Sequence, residues 1–124
     1  MAAKSHHGKD KQQGPVAVNK KAYHDYELFD KYEAGLSLVG TEVKSLRMSQ
    51  ADLSGSYARI EGAECWLIGA NIAQYEQASA AAGHELKRKR KLLLHKREID
   101  KIRVKLEQRG FTLVPLRIYF NGRG

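Results

Sequence analysis

Residues 87–94 read KRKRKLLL, five cations running directly into three leucines. Ammonium and guanidinium groups at that density do one kind of chemistry well. They neutralise phosphates and release the counterions condensed on a polyanion. Arginine adds a planar fork that meets phosphate bidentately. The ordinary alternative is a solvated charge run in front of a core segment. Two features weigh against it. The segment 87–105 holds ten Lys or Arg against Glu98 and Asp100, a surplus equal to the +8 net charge of the whole chain. The leucines also fix the backbone that carries the cations, so less entropy is lost on binding. Charge then sets affinity and the apolar run sets position. Further cations follow at Lys96, Arg97, Lys101, Arg103 and Lys105.

Two smaller basic clusters join this one. NKK occupies 19–21, and EVKSLR at 42–47 places Lys44 and Arg47 three apart on one helix face. Tyr23, Tyr26, Tyr32 and Tyr57 offer rings on which unpaired bases stack, although packing is the commoner role for any one of them. A pI near 9.7 directs the chain to a polyanion, nucleic acid first and an anionic membrane surface second. Basic patches interleaved with aromatics favour RNA, while physics alone leaves DNA open. Catalysis finds little support. The five histidines (His6, His7, His24, His84, His95) lack metal-ligand spacing to one another or to Cys65. GLSLVG lacks the spacing and lysine of a phosphate loop. Cys65 sits among apolar neighbours and reads as a buried, inert thiol. As the single cysteine it permits no intramolecular disulfide, which fits a reducing, cytosolic compartment. No metal, no cofactor and no enzymatic activity are expected, and no stretch has the apolar length of a membrane helix.

The elements that must position these groups are short. A length of 124 residues suits one domain. Residues 1–15 are polar and aperiodic and are expected to form a disordered arm, leaving 16–124 as the folded domain. Asn19 is placed to cap a short helix. In EAGLSLVG, Leu36 and Leu38 alternate with Gly35, Ser37 and Val39 as in a strand. A helix is predicted over roughly 42–50 with Thr41 as its cap. Residues 56–72 predict a hairpin turning at Glu61-Gly62, and 76–86 a loop. The stripe Ile99, Ile102, Leu106 predicts a helix over about 95–109, with Arg103 and Glu107 paired and Gly110 as its stop. FTLVPLRIYFN returns to strand, with Pro115 at an edge or bulge. The tally, mainly β with about three helices and no βαβ rhythm, favours a small antiparallel barrel of OB type with flanking helices. Composition does not separate that from a small α+β sandwich.

Four blocks carry a resemblance: EAGLSLVGTEVKSLR (33–47), DLSGSYARI (52–60), RKLLL (90–94) and GFTLVPLRIYF (110–120). With NKKAYHDY at 19–26 they resemble the small protein B family, the SsrA-binding proteins, over roughly residues 16–122. The resemblance implies a closed antiparallel OB-type barrel with three helices and no enzymatic activity. It implies a cytoplasmic bacterial adaptor, monomeric, that binds the tRNA-like domain of transfer-messenger RNA and delivers it to stalled ribosomes. Carried over position by position, the RNA-facing set includes Asn19, Lys20, Glu33, Arg88, Arg90, Lys91 and Leu93. Lys21, Tyr23 and Arg97 join it from the basic and aromatic clusters. Lys44, Ser45 and Arg47 lie in the most recognisable block, with RNA contact, ribosome contact and helix anchoring all open. Glu33 is an acid on an RNA surface, where it accepts from base amino or sugar hydroxyl groups, or else forms a structural ion pair. Family members continue past YFNGRG with another strand and a basic tail, so this chain is expected to lack both. The competing expectation is a generic OB-type ribosomal or single-strand-binding module.

Overall fold

A computed structural model of the chain describes residues 2–3, 16–73 and 86–120. In chain order its elements are β1 Ala2–Ala3, β2 Ala17–Val18, α1 Lys20–Asp25, β3 Glu33–Leu36, α2 Gly40–Arg47 and β4 Ala51–Asp52. They continue with β5 Tyr57–Glu61, β6 Glu64–Ile68, β7 Asn71–Ile72, β8 Arg90–Leu93, α3 Lys96–Leu106 and β9 Arg117–Ile118. The expected arm lies outside the described residues apart from Ala2–Ala3, which pair parallel with Glu33–Ala34. The expected loop at 76–86 lies outside them apart from Leu86. The fold is mainly β, with antiparallel ladders and three helices among the described residues.

The central sheet runs β1-β3-β8-β6-β5, and β2-β9 and β4-β7 form two small ladders. Its hairpin follows from alternation and one glycine. Ala58, Cys65 and Leu67 point inward and are buried, while Tyr57, Arg59 and Glu64 point to solvent. Gly62 closes the turn with φ +62°, a conformation that glycine adopts without a Cβ penalty. Strand β8 then inserts between β3 and β6. Leu92 lies opposite both Leu36 and Cys65, so one leucine closes the inner face of three strands. Leu93 faces out across from Gly35, where a Cβ would come within 3.1 Å of the Leu93 Cβ. The tri-leucine run therefore divides: Leu92 is buried, Leu94 half-buried against the core and Leu93 exposed.

The helices cover the inner face. Leu46 of α2 and Ile102 of α3 join Leu36, Leu67, Leu92 and Ile118 in one core. α2 begins earlier than expected. Val39 is its N-cap, and the Glu42 carboxylate accepts from the Val39 N–H at 2.9 Å, so a side chain three residues on does the capping that Thr41 was expected to do. α3 is shorter than expected, and Arg103 does not wait for Glu107. Its guanidinium donates to the Gly62 carbonyl at 2.7 Å and ties the helix to the hairpin turn. The C-terminal strand is also broken up. Leu113 makes an isolated bridge to Ala58, buried Pro115 offers no ladder donor, and pairing resumes between β9 and β2.

Asn19 holds α1 to this framework. Its Oδ1 accepts from the Ala22 N–H at 3.1 Å, as expected of a cap, while Nδ2 donates to the carbonyls of Pro115 at 3.0 Å and Leu53 at 3.3 Å. Asn19→Ala removes the cap and takes the Nδ2 donor from the buried Pro115 carbonyl, while the Leu53 carbonyl keeps the Ser56 N–H at 3.0 Å and the Ser56 hydroxyl. The expected cost is about 2 kcal/mol in urea unfolding. A change near zero would show that the cap contributes nothing.

Candidate nucleic-acid interface

The densest charge in the sequence is not left open to solvent. Glu42 is completely buried in the first turn of α2, and two arginines converge on it. Arg88 donates to its carboxylate at 2.6 and 3.0 Å, and Arg90 Nε at 2.7 Å. Arg90 Nη2 also reaches that carboxylate at 2.6 Å, and the guanidinium donates to the carbonyls of Ala70 at 2.9 Å, Arg88 at 3.1 Å and Leu86 at 3.1 Å. Burial pushes the Glu42 carboxyl up. Hydrogen bonds from Arg88, the Val39 N–H and Arg90, with the charge of Arg90, outweigh it and hold the group below the usual carboxylate range. Arg90 was expected to face RNA, but it is 0% exposed. Its position corrects that expectation: it shares the inner face with Leu92, and its donors are committed to protein acceptors.

Asn19 and Ser45 are corrected in the same way. Asn19 is buried in its capping role, and the buried Ser45 Oγ donates to the Ala73 carbonyl at 2.6 Å, tying α2 to the end of β7. Other cations of the run meet acids from elsewhere in the chain. Lys89 pairs with Glu61 at 2.8 Å and Lys91 with Glu64 at 2.7 Å, in exposed contacts of the kind that contribute little stability.

Part of what remains exposed lines two grooves. One is lined by Glu33, Glu64, Lys91, Leu93, His95 and Glu98, so three expected site residues from β3 and β8 meet there among three carboxylates. Tyr119 donates its hydroxyl to Glu33. Burial first, then that hydrogen bond and the charge of Glu33, push the phenol up to about 12, so it stays a donor at neutral pH. The other groove is lined by Asn19, Lys21, Asp25, Tyr26, Ser56 and Tyr57, a cation, a carboxylate and two rings within one concavity. Lys20, Lys21 and Arg97 are exposed and have no acidic partner among the described residues. Tyr23 is exposed on α1. Lys44 and Arg47 lie on the exposed side of α2, the latter 4.9 Å over the Phe120 ring. Arg88 retains partial exposure beside Glu42. Exposed cations beside exposed aromatic rings are the groups by which proteins hold a phosphate backbone and stack bases. No cluster of three His, Cys, Asp or Glu with metal-binding geometry occurs among the described residues.

The family model described as SmpB protein matches residues 16–124. The chain belongs to the SmpB family. Relatives named SsrA-binding protein include that of Thermus thermophilus, 54% identical over 110 residues, 89% of this chain and 76% of the relative. That of Carboxydothermus hydrogenoformans is 53% identical over 107 residues, 86% of this chain and 71% of the relative. A chain of the solved structure "tmRNA-SmpB: a journey to the center of the bacterial ribosome" superposes with a TM-score of 0.74 at 54% identity, covering 90% of this chain and 77% of that one.

Within this SmpB family member, sequence reasoning passed over Glu42, which organises the recognisable GTEVKSLR block. The signal was present locally, since a glutamate three residues after a helix start is half of a capping box. Its pairing with Arg90, 48 positions away, was not. Trp66, on the outer face of β6, was covered only by the predicted hairpin over 56–72.

Proposed function

We propose that this chain is an RNA-binding adaptor of trans-translation, which binds tmRNA through its tRNA-like domain and carries it to stalled ribosomes. The match to SsrA-binding proteins over nearly the whole of residues 16–124 carries this reading. The exposed cations and rings supply the physical means: Lys20, Lys21, Tyr23, Glu33, Lys91, Leu93 and Arg97 as contacts, with Lys44, Arg47 and Arg88 beside them. Buried Asn19, Ser45 and Arg90 hold the elements that present these groups.

The finer architecture belongs to the same proposal. The three ladders share one core, and the Ala58–Leu113 bridge joins the central sheet to the segment that pairs with β2. These support a closed antiparallel OB-type barrel spanning residues 16–124 behind an N-terminal arm. The adaptor works without catalysis or cofactor, as a monomer in the bacterial cytoplasm. No described helix is long and apolar enough to cross a membrane.

Competition binding tests the function. A tRNA-like fragment of tmRNA is expected to displace a labelled copy of itself at far lower concentration than a linear single strand of equal length. Equal displacement by the two would favour a generic single-strand-binding module.

A further inference from the structure

The strand register places a second set of side chains beside Lys91 and Leu93. Trp66 of β6 lies directly opposite Lys91 of β8 on one side and Arg59 of β5 on the other. Directly opposed residues share a face, so Arg59, Trp66 and Lys91 form one row across the outside of the sheet. Cys65 and Leu67, the neighbours of Trp66, point into the core, which confirms the direction of the indole. Leu93 and Glu33 adjoin one end of this face. Tyr57, two residues before Arg59, adjoins the other and opens into the groove with Lys21 and Tyr26. The Trp66 row therefore bridges the two grooves already described.

The indole is partly covered. The Lys89 ammonium lies 4.6 Å over its ring and also reaches Glu61 at 2.8 Å. Glu61 accepts from Arg59 as well, at 2.9 Å from Nε. All of these contacts are at the surface, with Lys89 47% and Arg59 52% exposed. An exposed cation–π contact and an exposed ion pair are each weaker than an aromatic–base stack. An arriving base can therefore displace Lys89 from the ring, and the released ammonium meets the phosphate that accompanies that base.

We infer that Trp66 is a stacking platform for an unpaired base of the bound RNA, flanked by Arg59, Lys89 and Lys91 as phosphate partners. The inference rests on the RNA-binding reading above. Continuity with Lys91 and Leu93, and a half-exposed indole whose covering cation is held only by surface contacts, identify the occupant as RNA rather than a protein surface.

Trp66 is the single tryptophan of the chain, so its emission reports on this site alone. The full chain is titrated with the tRNA-like fragment of tmRNA while filter binding follows complex formation independently. Trp66 emission is expected to be quenched in step with binding. Trp66→Leu is expected to weaken binding about 10-fold, with Trp66→Phe restoring most of it, since a phenyl ring still stacks. Circular dichroism confirms that both variants are folded. Full binding with unchanged emission, or equal affinity of the Leu and Phe variants, overturns the platform and leaves the RNA-binding function standing. An emission shift that follows protein concentration without RNA assigns the face to self-association and also overturns it. Absence of binding by the wild-type chain defeats the functional reading itself.

Discussion

Glu42→Ala lowers the unfolding free energy by about 3–5 kcal/mol, the cost of leaving a buried charge without its counter-ion. Arg90 is wholly buried, and its guanidinium pairs with the equally buried Glu42 carboxylate at 2.6 Å. The same substitution removes the acceptor of the Val39 N–H at the start of α2. For a domain of this size the loss corresponds to a melting-temperature drop of roughly 10–20 °C. Calorimetry at pH 7 measures it, and a drop of only a few degrees would contradict the burial described here. The pH dependence gives a second check. The folded-state pKa of Glu42 is depressed, so its contribution is fully present above the unfolded value of about 4.3 and is lost as pH falls through the folded value. Glu42→Gln is therefore much less stable than wild type at pH 7. The two converge in acid, where wild-type Glu42 is itself protonated.

The second large effect is on RNA affinity. Lys20→Ala, Lys21→Ala and Lys91→Ala combined are expected to weaken binding of the tRNA-like fragment about 100-fold at roughly 0.15 M salt. Each phosphate contact contributes about 0.7–0.9 to the slope of log affinity against log salt, which at that concentration is about fivefold per contact. The slope should therefore flatten by roughly two to three. The fold should not suffer, because Lys20 and Lys21 are exposed and the Lys91–Glu64 pair lies at the surface. A triple variant with the wild-type slope would show that these lysines touch no phosphate.

The contrast between these two results marks what was legible in the sequence. The hairpin, α1 and α3 were legible because their signals are local: Gly62 between alternating runs, Asn19 ahead of NKK, and the Ile99–Ile102–Leu106 stripe. The KRKRK run misled because net charge was counted along the chain. Folding brings Glu42, Glu61 and Glu64 onto it from other elements, and no window of sequence contains both partners. A local clue did exist. Continuing the period of two from Leu92 back through β8 puts Arg90 on the core face and Lys91 on the outer one. Asn19 and Ser45 show the same limit. Their side chains suit either an RNA or a carbonyl, and only the placement of Pro115, Leu53 and Ala73 decides between them.

The most direct test asks which lysines the RNA covers. The chain is saturated with the tRNA-like fragment of tmRNA, and lysine acylation is read by mass spectrometry in the free and bound states. Strong protection of Lys20, Lys21 and Lys91 is predicted. If all three react in the complex as they do in the free chain, the RNA lies on another face and the interface described here is wrong.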